Sequence, residues 1–169
     1  MAEIYPGRYT AEVDGEVVVF LIGMRINKLR KISTWLPVLL AMPKMLAVLQ
    51  RDPDSGLLGA RTYLGPSPLV VQYWRSFEDL ARFSRDSTAP HLAAWRKFNR
   101  AVGASGDVGI WHETYLVPGS SVECIYANMP VFGLAKATRH VPVRRGRDTA
   151  SARIGKTADD NPAVPVRHA

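Results

Sequence analysis

The segment Glu16–Ile26 (EVVVFLIGMRI) is apolar on both faces, and that restricts the fold more than any other feature of the chain. Its β-branched and aromatic content reads as a strand, in which alternate side chains point to opposite sides. Val17, Val19 and Leu21 fall on one face; Val18, Phe20, Ile22 and Met24 fall on the other. A small antiparallel sheet with helices on one side alone keeps a wet, polar second face. Two apolar faces require two covers, and in a chain of 169 residues the expected second cover is another copy of the same chain.

The remaining elements follow from pattern and punctuation. Residues 1–15 read as a polar lead-in with turns at Pro6-Gly7 and Asp14-Gly15. After a basic loop (Asn27, Lys28, Arg30, Lys31), residues 35–49 (WLPVLLAMPKMLAVL) read as a buried helix, capped by Ser33 or Thr34 and kinked or split at Pro43. The run is shorter than the ~20 apolar residues of a membrane span. Residues 57–64 and 69–75 form a hairpin across Gly65-Pro66-Ser67-Pro68. Ser76 caps a helix with Phe77, Leu80 and Phe83 inward, and a further helix spans 91–102. A strand at 108–117 completes an order of β-α-β-β-α-β, with the second helix broken in two, the ferredoxin-like arrangement of an α+β fold, and a further strand spans 121–128. Two boundaries result: a domain over 1–138, and a basic tail over 139–169 without apolar periodicity, expected to be disordered.

The strand 108–117 (VGIWHETYLV) is the place to look for chemistry, because it puts an ionisable group on each face of an apolar element. His112 shares a face with Ile110 and Thr114. As a group titrating near neutrality it could serve as a general base, a proton shuttle or an axial ligand, or simply be a bonded core histidine. Glu113 points the other way, toward an expected ion pair with Arg25, Arg61 or Arg75. His91 opens its helix, where the macrodipole keeps imidazole neutral, as proton abstraction or haem ligation would need. Trp74, Trp95, Tyr115 and Tyr126 are candidate walls for a planar substrate, with Asn128 as a polar handle.

Charge and cysteine content narrow the classes. Of the net charge of +7, five charges lie in residues 135–169, where eight Lys/Arg face three Asp. A basic tail on a nearly balanced body is weak ground for nucleic-acid binding. One cysteine, Cys124, leaves no internal disulfide or multi-cysteine metal site, and reads as a small buried residue of a strand. No charged-then-apolar leader opens the chain, so a cytoplasmic location is expected. Dinucleotide, P-loop and nucleophile-elbow motifs are missing, and His112-Glu113 is not a zincin pair because it sits on a strand and position 116 is Leu.

QYWRSFEDL (72–80), PHLAAWRKF (90–98), GIWHETY (109–115) and YANMPVFGL (126–134) resemble the dimeric α/β-barrel superfamily. Within it they resemble a monooxygenase-like family that includes an oxygenase of fungal terpenoid (fumagillin) biosynthesis. The likeness covers roughly residues 10–138. It implies a homodimer with a cavity between sheet and helices for a small hydrophobic molecule. It also implies a cofactor-independent monooxygenase with a His base. The superfamily further contains haem-dependent dehydratases and non-catalytic stress-response dimers, so an axial His or a plain binding role stays open.

Overall fold

The computed structural model describes residues 2–85 and 105–155, which form two compact units. One comprises residues 18–115; the other joins residues up to 17 to those from 116 onward.

The first unit is built on a four-stranded sheet: β2 (Glu16–Ile26), β3 (Leu57–Tyr63), β4 (Leu69–Trp74) and β5 (Val108–Pro118), with β1 (Tyr5–Glu12) lying outside it. Their order across the sheet is β3-β4-β2-β5, and β4 runs antiparallel to both β2 and β3. Taken along the chain as first to fourth, the strands stand in the order 2-3-1-4. That is the split β-α-β arrangement expected from the sequence. Leu64 to Pro68 link β3 and β4 as the predicted hairpin.

Helix α1 (Ile32–Leu49) follows β2, and α2 (Phe77–Arg85) follows β4. Register places Val18 opposite Trp74, Phe20 opposite Gln72 and Ile22 opposite Val70 on the face that meets the helices. Val18, Met45, Leu49, Trp74 and Leu80 close one end of that layer, with Phe20, Met42, Leu57 and Phe83 packed around them. Met24 and Val108 close the other end beneath Trp35, Val38 and Leu39. Burying each such side chain contributes about 1.5–3 kcal/mol.

Several local expectations are met and others corrected. Ser76 Oγ accepts the Asp79 N–H at 3.1 Å, the predicted cap. Helix α1 begins earlier than expected, on Lys31, with no side-chain cap, and Pro37 and Pro43 do not split it. It is also far less buried than its composition suggests, since Met45, Leu46 and Leu49 alone are enclosed. Its 18 residues, of mean hydropathy 1.7, are long and apolar enough to cross a membrane by length and composition. The basic loop before it is not merely solvated. Lys28 and Lys31 grip Asp107 at 2.7 and 2.6 Å, and these ammonium groups hold its carboxyl below the ordinary value.

The second unit holds a three-stranded antiparallel sheet, β6-β1-β7, with β6 at Tyr126–Met129 and β7 at Arg139–Pro142. Short helices α3 (Gly133–Ala137) and α4 (Ala150–Arg153) accompany it. Here the sequence misled. The polar lead-in is a strand, and residues assigned to an unstructured tail pair with it, Thr10 opposite Val141 and Ala11 opposite His140. The tail's arginines are engaged: Arg139 with Glu12 and Asp14, Arg153 with Glu123. Periodicity could not show this, because four-residue strands such as β7 carry almost no pattern. Cys124 lies just before β6 instead of within a strand, half-buried, with its Sγ accepting the Ala11 N–H at 3.3 Å.

Candidate functional site

Strand β5 is an edge of the four-stranded sheet, and His112 sits midway along it on the helix-facing side. Its ring lies 5.7 Å from that of Phe20, tilted by 40°. Phe20 in turn packs against the cluster around Trp74, so an aromatic path runs across β2 from the sheet's closed centre to its open edge. His112 is exposed. A ring that reaches solvent beside an apolar floor can exchange protons with water and still meet a hydrophobic ligand.

Trp74 has no exposed surface. Its indole Nε1–H donates to Gln72 Oε1 at 2.9 Å, and the Phe83 ring packs against it at 5.6 Å, tilted by 34°. It is therefore part of the packed core. Gln72, also buried, was missed by the sequence reading. The signal was present, since Gln72 alternates between Val70 and Trp74 on a buried strand face and needs a partner there.

Tyr115 does not join His112 on its face of β5. Tyr115 occupies the opposite face of β5, half exposed, and its hydroxyl donates to Glu113 Oε2 at 2.6 Å. That carboxylate raises the phenol pKa. Glu113 thus bonds a tyrosine two residues away instead of the expected arginine, and Arg75 pairs with Asp79. Trp111 shares this face and lies over Gly23, where a Cβ would meet the indole at 2.7 Å. Any larger residue there would displace the ring. His91 and Trp95 lie outside the described residues.

Tyr126 and Asn128 belong to the three-stranded sheet, and both have structural employment. Tyr126 Oη accepts the Ala135 N–H at 3.3 Å. Asn128 takes a left-handed backbone (φ 53°), and its side-chain oxygen accepts the Gly7 N–H at 2.9 Å. Near them His140, not a candidate from sequence, stacks on Tyr9 at 4.4 Å with Tyr5 edge-on at 5.0 Å. Burial lowers its pKa, and its Nε2 has no hydrogen-bond partner among the described residues.

No group of three or more His, Cys, Asp or Glu able to hold a metal ion occurs among the described residues. Of the two imidazoles that the sequence offered as haem ligands, His112 is the one described, and it is exposed.

Comparison with known proteins gives the relationship. The curated monooxygenase af470 of Aspergillus fumigatus is 27% identical over 154 residues. That match covers 76% of this chain and 53% of the relative, so the chain spans about half of the relative's length. Among solved structures, the cofactor-independent oxygenase SnoaB of Streptomyces nogalater aligns with TM-score 0.41 and 13% identity. It covers 59% of this chain and 91% of that one. An aldoxime dehydratase aligns with TM-score 0.44 and 14% identity, covering 79% and 42%. Likeness at this level carries no argument about chemistry, and the fold rests on the strand order. The model of the monooxygenase af470-like family, by contrast, matches residues 17–134, which include all four strands of the larger sheet and His112, and the chain belongs to that family.

Proposed function

We propose that the protein is a monooxygenase of a small hydrophobic metabolite, of the kind made in specialised metabolism, working without a bound cofactor. Membership of the family is the observation that carries this reading. The position of His112 beside Phe20 supports the mechanism. The substrate is an activated carbon acid. His112 removes its proton, and the resulting carbanion supplies the electrons that reduce dioxygen. Dioxygen adds to the carbanion as a hydroperoxide, and loss of the carbon's second proton breaks the O–O bond, leaving one oxygen in the product as a carbonyl and releasing the other as water. Around the base, Phe20 and the Trp74 layer give an apolar floor that holds the substrate and limits water near the carbanion. His91, Trp95, Tyr115, Tyr126 and Asn128 remain proposed site residues on the strength of the sequence alone.

The functional unit in this proposal is a homodimer. Its support is the sheet face turned away from the helices. There Val19, Leu21 and Val71 are half-buried and Tyr63, Trp111 and Tyr115 exposed, an apolar surface suited to a second copy.

Oxygen uptake by the full chain, measured against a panel of phenolic, anthrone-like and 1,3-dicarbonyl carbon acids, tests the chemistry. His112→Ala should lower the rate on an accepted substrate by about 10²–10⁴-fold while the circular dichroism spectrum stays that of the parent. An undiminished rate would remove His112 as the base. A strong absorption band near ~400 nm in the purified protein would favour haem instead.

A further inference from the structure

The outward row of α1 points to a use that the oxygenase reading does not require. Ile32, Leu36 and Leu40 recur every four residues on one side of the helix, and Lys44 and Val48 continue the same row. Their exposures are 54%, 36% and 53% for the first three and 45% for Val48, and Leu29, just before the helix, stands at 67%. A helix of 18 residues is about 27 Å long, so this is an apolar ridge running the length of the element. Monomeric soluble surfaces rarely leave such a ridge uncovered.

We propose that this ridge docks on the surface of an anionic lipid membrane, lying in the interface without crossing it. Charge selects lipid as the occupant. The helix contains no acidic residue, and its one charge, Lys44, stands in the middle of the ridge. A second copy packed on this ridge would bury two Lys44 ammonium groups in the seam with no carboxylate on either helix to neutralise them. At a bilayer the same lysine lays its stem along the acyl boundary and reaches the phosphates. Arg30, Lys28 and Lys31 crowd the leading end, where Asp107 is the acid that meets the two lysines. The far end is net negative, with Arg51 followed by Asp52 and Asp54, so the leading end seats deeper. Each cation near such a surface strengthens attachment, and salt weakens it.

Co-sedimentation of the full chain with vesicles tests this, using phosphatidylcholine alone and phosphatidylcholine mixed with phosphatidylserine. The chain should partition onto the mixed vesicles, and added salt should release it. Leu36→Ser with Leu40→Ser should lower that partitioning at least about tenfold, and Lys44→Glu about fivefold. These positions are exposed, so melting temperatures should stay near the parent's. Three results would overturn the proposal: no binding to either vesicle, equal binding by the Leu36→Ser/Leu40→Ser variant, or equal binding to both lipid compositions. A change of oligomeric mass in that variant, without any vesicle binding, would assign the ridge to a second copy.

Discussion

The two faces of the four-stranded sheet are made of similar residues and end in opposite surroundings. On the helix side, Val18, Val70, Gln72 and Trp74 are sealed beneath α1 and α2. On the other side, Val19, Leu21 and Val71 from the same two strands are half covered, and Arg61, Tyr63, Trp111 and Tyr115 meet solvent. Composition alone does not separate the faces. What does is the presence of a partner layer. The sealed side holds the fold together; the open side supplies only what a further molecule could complete.

The largest effect should come from the sealed side. Trp74→Ala removes a fully enclosed ring and leaves the Gln72 amide oxygen without its donor, and should cost about 3–5 kcal/mol in a denaturant titration. If the loss is under ~1 kcal/mol, Trp74 lines a cavity and the contrast between the faces fails. The open side predicts something different. Val71→Glu should leave monomer stability within about 0.5 kcal/mol, because the carboxylate can reach water. It should weaken self-association about tenfold or more by placing charge on the surface proposed for another copy. Sedimentation velocity across a concentration series reads both states. An unchanged association would move the dimer surface elsewhere.

The smallest effect belongs to Asp107, which pins the start of β5 to the loop leading into α1. The Lys28 and Lys31 ammonium groups lower its pKa below the ordinary 3.8. A carboxyl depressed in the fold contributes stability above the unfolded value and loses it as pH falls through the folded one. The melting temperature of the parent should therefore fall more steeply below about pH 4 than that of Asp107→Asn. The variant should start lower at neutral pH, because two lysines lose their counter-ion. Parallel acid profiles would show that the clasp adds nothing to closure of this end.

Legibility in the sequence followed the same divide. Periodicity at Glu16–Ile26 and at Leu69–Trp74 exposed the ferredoxin-like sheet, because long strands beside a core must alternate or run apolar. Ser76 announced its helix by cap chemistry. Yet the sealed indole and the exposed imidazole were both simply inward-looking residues on paper. Exposure of an edge strand depends on which neighbours are present, and no local pattern encodes that. Tyr126 and Asn128 read as ligand contacts because they are polar or aromatic next to a turn, and their hydrogen bonds with Ala135 and Gly7 could not be seen in the sequence. The smaller sheet stayed hidden because its central strand contains Pro6 and Gly7, both turn signals, inside Tyr5–Glu12.

That central strand ties the two extremities of the chain to one another. Because β1 accepts β6 along one edge and β7 along the other, shortening the protein to its family-matching stretch, 17–134, would take away the ladder partner of Tyr126–Met129 along with the strand itself. The four-stranded sheet could survive such trimming, but the trimmed protein would carry a bare, bond-hungry β6 edge into solution, where aggregation is the ordinary result.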